Sequence, residues 1–83
     1  MKVSFTRDGW DDYTSWANER SILKRINRMI EEAGGDPATG IGKPERLSHN
    51  LSGYWSRRIT DEHRLVYQLR DEELIIVQAR YHY

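Results

Sequence analysis

Three apolar-rich segments close the chain: Tyr54 to Ile59, His63 to Leu69 and Leu74 to Tyr81. Their connections are short: Thr60-Asp61-Glu62 and Asp71-Glu72-Glu73. Connections that short join antiparallel neighbours, so the three segments are predicted to form a β-meander. Upstream the hydrophobic period changes. Ile22, Ile26, Met29, Ile30 and Ala33 recur at helical spacing, and Gly34-Gly35 followed by Asp36-Pro37 ends the pattern. Trp10, Tyr13 and Trp16 share one face of an earlier helix, which Thr6 can cap. Asp8, Asp11 and Asp12 then lie toward its positive end. The chain changes direction around Asn18-Glu19-Arg20-Ser21. Met1 to Phe5 reads as a strand with Val3 and Phe5 on one face, and a short strand is expected through Arg46 and Leu47. Strand, two helices and a meander make an α+β fold, with both helices packed on one face of a mainly antiparallel sheet. At 83 residues this is one domain, spanning 1–83.

The chain has no cysteine, which excludes a disulfide framework, a thiolate metal site and a thiol nucleophile. The N-terminus has no apolar run behind it, and no stretch is apolar for long enough to span a membrane. A reducing, cytoplasmic setting is expected. Thirteen basic residues balance 13 acidic ones, but not evenly along the chain. Between Gly40 and Arg70 stand Lys43, Arg46, Arg57, Arg58, Arg64 and Arg70, with His49 and His63, against only Glu45, Asp61 and Glu62. Such a segment can form a local cationic surface on a neutral protein. The loop from Ala38 to Pro44 contains Gly40 and Gly42 but lacks the length and the Lys-Ser/Thr ending of a phosphate-binding P-loop.

Strand parity sorts the side chains of the meander. Ile75, Val77, Ala79 and Tyr81 form the expected core set of the last strand, and Leu65, Tyr67 and Leu69 that of the one before. A loop centred on Glu72 pairs even residues with even residues, which places Arg64 across from Arg80 with His82 as a diagonal neighbour. The same argument about Asp61 puts Arg58 across from Arg64. Trp55 and Ile59 face the helices; Arg57 shares their parity and fits poorly there. One sheet face then carries Arg58, Arg64, Arg80, His82 and two glutamines, with Glu45 within reach just before the meander. Like charges gathered in this way call for a polyanion.

This set suits metal-free RNA cleavage. The 2′-hydroxyl loses a proton and attacks phosphorus, the leaving 5′-oxygen gains one, and the phosphate charge is stabilised. A carboxylate (Glu45), an imidazole (His82) and a guanidinium (Arg64) supply these functions, with Arg58 and Arg80 as added positive charge. DNA has no 2′-hydroxyl and is not a substrate for this chemistry. His49, His63 and His82 are scattered, and no metal or other cofactor is expected. His63 has core parity, which favours a hydrogen-bonded structural role. A non-catalytic module that binds RNA or the ribosome through the same arginines is the alternative.

Four segments carry a family resemblance: Gly42-Lys43-Pro44-Glu45-Arg46-Leu47; His49-Asn50-Leu51-Ser52-Gly53-Tyr54-Trp55-Ser56-Arg57-Arg58-Ile59; Glu62-His63-Arg64-Leu65-Val66-Tyr67; and Ala79-Arg80-Tyr81-His82-Tyr83. Together with Trp10-Asp11-Asp12-Tyr13 they resemble the YoeB/Txe toxins of the RelE-like group. The resemblance implies a compact, microbial-ribonuclease-like fold and cleavage of messenger RNA in the ribosomal A site. It also implies inhibition by a YefM/Phd-type antitoxin, and the ability to form homodimers. Carried over by position, the family's general base falls on Glu45, its general acid on His82 and its transition-state arginine on Arg64. Tyr83 matches a residue that positions substrate, and Lys43, His49, Asn50 and Arg58 match residues that contact RNA. Ser48 departs from the pattern, since many relatives have lysine there.

Overall fold

The computed structural model describes residues 1–48 and 53–81. In chain order the elements are β1 (Lys2–Phe5), α1 (Arg7–Thr14), α2 (Arg20–Gly35), β2 (Glu45–Arg46), β3 (Tyr54–Arg58), β4 (Arg64–Arg70) and β5 (Glu73–Gln78). The five strands form one sheet in the order β1-β5-β4-β3-β2. The meander is antiparallel throughout, and β1 joins it in parallel beside β5. The edge strand β2 begins at Glu45, one residue before the sequence-based expectation. Among the described residues no helix is long and apolar enough to cross a membrane.

Local chemistry explains the helices. Thr6 caps α1, with the Gly9 N–H donating to its hydroxyl at 3.1 Å. Gly9 lies so close to β5 that a Cβ there would overlap the Ile76 carbonyl oxygen, and this glycine sets how tightly α1 seats on the sheet. Trp16 lies beyond the end of α1, buried in the core, whereas Trp10 remains half-exposed and packs edge-on against Phe5. Ile26, Met29 and Ala33 of α2 are fully buried. They meet Leu65, Tyr67, Leu74 and Ile76 from the sheet, with Ile59 and Ala79 just past the ends of β3 and β5, which makes one core between the helix layer and the strands.

The β4–β5 register differs from the parity argument. The turn is two residues, Asp71 and Glu72, both with positive φ (50° and 61°), as a type I′ hairpin requires. Arg70 pairs with Glu73 and Tyr67 with Ile76, so Leu74 and Ile76 enter the core in place of Ile75 and Val77. The ladder then shifts: Val66 pairs with Gln78, and Val77 is the extra residue of a β-bulge. The shift restores the even-to-even register, and Ala79 reaches the core as expected. On the other side of β4, Arg58 lies opposite Arg64, as the parity predicts.

Arg57 occupies its core-side position by satisfying its charge there. Its side chain is fully buried. Nε donates to the Tyr67 hydroxyl at 2.9 Å, and the two terminal nitrogens donate to the Ile41, Asp36 and Thr39 carbonyls at 3.1, 3.1 and 2.5 Å. Glu32 lies 3.6 Å away. The guanidinium thus gathers the loop that leads from α2 to Glu45. Burial pushes the Tyr67 phenol up, with the Arg57 contact acting in the other direction.

Candidate active site

The sheet face turned away from the helices carries a row formed by Glu45, Ser56, Val66 and Gln78, one residue from each of four adjacent strands. The neighbouring pair along the strands is Arg58 and Arg64. Arg64 leans toward the first row and brings its guanidinium to 3.6 Å from a Glu45 carboxylate oxygen. The two groups differ in environment: the Arg64 side chain is only 13 % exposed, and that of Glu45 is 56 % exposed. Among the described residues two buried polar side-chain atoms lack a hydrogen-bond partner, Ser56 Oγ and Arg64 Nε. Both belong to this face. A buried N–H without an acceptor is costly, and an anionic oxygen is the group that would satisfy it best.

Arg58 joins this face to a cleft. Its N–H donates to the Gly42 carbonyl at 2.6 Å, and its own carbonyl accepts from Arg25 at 2.9 Å. Arg25 also donates to the Ile59 carbonyl at 2.9 Å. The cleft encloses about 440 Å³ between Arg25, Gly42, Lys43, Arg58, Ile59, Thr60 and Asp61. Lys43 therefore stands near Arg58, on a backbone turned to φ 50° just after Gly42 at φ 89°. Behind the cleft, Glu32 fixes the loop by accepting the Ile41 N–H at 2.8 Å. That bond, helped by Arg28 and Arg57 against some desolvation, holds the Glu32 carboxyl below its ordinary range.

The structure brings together Glu45, Arg58 and Arg64, with Lys43 along the cleft. It does not bring Arg80 to them. The Arg80 guanidinium lies on the helix layer, 3.8 Å over the Trp16 ring, with Nε donating to Ser15 Oγ at 2.7 Å and a terminal nitrogen ion-paired with a Glu19 carboxylate oxygen at 4.0 Å. Strand β5 ends at Gln78, so strict alternation no longer governs where Arg80 points. His49, Asn50, His82 and Tyr83 lie outside the described residues. The chain approaches its end through Tyr81, whose carbonyl accepts the Arg64 N–H at 3.1 Å. Among the described residues no three His, Asp or Glu side chains converge as a metal site. Sequence reasoning missed Arg25; it placed Gln78 on this face by parity but gave it no role. Arg25 was legible only as an outward helix residue, and Gln78 only as a polar strand position; its amide in fact donates to the Arg80 and Tyr81 carbonyls at 2.9 Å each.

Comparison with known proteins places this geometry in a lineage. A family model described as a YoeB-like toxin of bacterial type II toxin–antitoxin systems matches residues 5–83. The chain is 58 % identical to Toxin YoeB of Streptomyces coelicolor over 84 residues, covering all of both chains. Among solved structures it is similar to a YoeB/ParE toxin from Agrobacterium tumefaciens, with TM-score 0.95 and 43 % identity over all of both chains. It is also similar to the YoeB of Staphylococcus aureus, solved in a YoeB–YefM complex and as a dimer, with TM-score 0.90, 39 % identity and 98 % of that chain covered. YafQ of Escherichia coli, at 13 % identity and TM-score 0.78, shares the RelE-like fold. The chain belongs to the YoeB-like toxin family of bacterial type II toxin–antitoxin systems.

Proposed function

We propose that this toxin is a ribosome-dependent endoribonuclease that cleaves messenger RNA in the A site by attack of a 2′-hydroxyl on the adjacent phosphate. The observation that carries the reading is the Glu45–Arg64 pair: an exposed carboxylate 3.6 Å from a nearly buried guanidinium whose Nε is unpaired. Glu45 takes the proton of the 2′-hydroxyl as general base. Arg64 holds the negative charge that grows on the phosphate oxygens, where a fork of donors in a low-dielectric site is most effective. His82 returns a proton to the leaving 5′-oxygen, and Tyr83 helps to position the substrate. Each proton transfer contributes about 10²–10⁴ in rate. Lys43, Arg58, His49 and Asn50 hold flanking RNA. The substrate locates the protein in the cytoplasm. The ribosome supplies the orientation of the scissile phosphate that a domain of this size does not supply by itself. By likeness to the Staphylococcus aureus protein, the partner that silences it is a YefM-type antitoxin, and the chain is able to form a homodimer.

The test is cleavage of a defined messenger RNA by the purified protein, with and without ribosomes. Glu45→Gln, Arg64→Ala and His82→Ala are run alongside. Ribosome-stimulated cleavage that is lost in all three variants is the expected result. Ribosome binding without cleavage by the wild-type protein would overturn the nuclease reading in favour of a non-catalytic binding module. Full activity in His82→Ala would remove that residue as the acid.

A further inference from the structure

The two unpartnered polar atoms of the candidate active site are chemically complementary. Arg64 Nε–H is a donor without an acceptor, and Ser56 Oγ belongs to a hydroxyl that can accept. Ser56 is fully buried and stands between Glu45 on one side and Val66 on the other. Arg58 pairs with Arg64 and Ser56 with Val66, so Ser56 and Arg64 are diagonal neighbours across the β3–β4 ladder. Diagonal partners lie about 7–8 Å apart, within the reach of a long side chain. An unpaired buried hydroxyl destabilises a fold, and the roles given to Glu45, Arg64 and His82 leave Ser56 without one.

The pull of Glu45 accounts for the two atoms being apart. A terminal nitrogen of Arg64 lies 3.6 Å from a Glu45 carboxylate oxygen, across β3 on the edge strand. To hold a phosphate the fork has to leave the carboxylate, because the same N–H groups cannot point at both. The guanidinium is planar and rigid, so Nε turns with the terminal nitrogens. A phosphate oxygen taking the Nε–H would leave Ser56 unpaired, since a fully buried hydroxyl does not reach a ligand lying on the sheet face. Pairing Nε with Ser56 Oγ satisfies both atoms. It also leaves the two terminal nitrogens facing outward, end-on, as a bidentate fork for two phosphate oxygens.

We propose that Ser56 is a positioning residue for Arg64: as a phosphate draws the guanidinium away from Glu45, the Ser56 hydroxyl accepts the Nε–H and sets the fork end-on to the phosphate. The ion pair with Glu45 is the resting position of a two-position arginine. The consequence for catalysis rests on the nuclease reading above; the two positions rest on the register and the unpartnered atoms alone. Stability separates this role from a structural one. Deleting a buried hydroxyl that has no partner does not weaken a fold, so Ser56→Ala should be at least as stable as the wild-type protein in urea. Ser56→Cys keeps a side chain in the space but offers only a weak acceptor, which separates hydrogen bonding from volume.

The experiment observes the Arg64 Nε–H of the full-length protein by nitrogen–proton NMR, identified by its loss in Arg64→Lys, with inorganic phosphate as the probe. RNA cleavage on ribosomes and urea unfolding are measured on the same proteins. In the wild-type protein phosphate is expected to move the resonance downfield and to slow its exchange with water at least ~10-fold. In Ser56→Ala and Ser56→Cys it should do neither. Both variants should lose about 10-fold in kcat, the contribution of one hydrogen bond to a charged group, with KM unchanged. A phosphate response that is the same in the wild-type protein and Ser56→Ala, or that is absent from the wild-type protein, would overturn the proposal. Wild-type kcat in Ser56→Ala, or a loss of stability in that variant, would do so as well. A Ser56-dependent response in a protein unable to cut RNA would support the two-position arginine and overturn the nuclease reading instead.

Discussion

Arg57 and Arg58 are consecutive on β3 and do opposite things. One is fully buried, holding the Tyr67 hydroxyl and three loop carbonyls; the other is exposed on the polar face opposite Arg64. Strand alternation alone separates them. Arg57→Ala leaves the Tyr67 hydroxyl and the carbonyls of the 36–41 loop short of donors and opens a cavity, with an expected cost of about 3 kcal/mol or more. Arg58→Ala should change stability by no more than about 0.5 kcal/mol. Urea unfolding of the two variants checks the contrast, and RNA cleavage should fall in Arg58→Ala although its stability does not.

The Arg64 guanidinium is asked to do more than carry charge. Arg64→Lys keeps the charge but loses the planar fork, so it should lower kcat about 10²–10³-fold, roughly the effect of deleting a preorganised donor to a developing oxyanion. Single-turnover cleavage on saturating ribosomes measures this directly. A variant as active as the wild-type protein would mean that Arg64 acts only through its net charge.

Gly9→Ala tests the packing of α1. Alanine favours a helix by about 1 kcal/mol over glycine. Here the added methyl meets the Ile76 carbonyl oxygen, a backbone atom that cannot turn aside. The overlap should win, for a net destabilisation of about 1–3 kcal/mol in chemical denaturation. Gly35→Ala is the internal control, since nothing lies within 4 Å of a Cβ at that position.

Glu32 gives the fold an acid limit at the loop before the site. The Ile41 N–H, with Arg28 and Arg57, lowers its folded pKa below the unfolded value. The resulting stabilisation is complete above the ordinary carboxylate range and disappears as pH falls through the folded pKa. Glu32→Gln should therefore be less stable than the wild-type protein at about pH 7, with the difference shrinking toward about pH 3. Thermal unfolding across that range reads the trend, and a gap that widens on acidification would contradict it.

Much of the fold was legible because the period changes at Gly34-Gly35 and because the last two connections are too short for anything but hairpins. The polar pair Arg58–Arg64 followed from parity alone. The β5 side of the site was legible for a less general reason. A two-residue turn reversed the parity expected from a loop centred on Glu72, and the bulge at Val77 reversed it again. No propensity signals a bulge in Leu74-Ile75-Ile76-Val77, where every residue is apolar and either phase could be buried. Arg80 was misplaced because alternation was extended past the end of β5. Arg57 looked like a misfit because its partners are carbonyls, and carbonyls are invisible in a list of side chains.

Glu45 belongs to β2, a strand of two residues at the edge of the sheet, held by its ladder to Ser56 and Trp55. A short edge strand is the part of a sheet that opens at the lowest free energy, through local fraying that leaves the core intact. The proposed base thus rides on a short edge strand, while the Arg64 that faces it is set in a long central strand. Heat stability, which reports the centre, and toxicity, which needs the edge in place, are therefore separable traits of this chain. Substitutions that raise the melting temperature through the helices need not make a better poison, and loosening the stretch from Lys43 to Arg46 can disarm the protein without unfolding it.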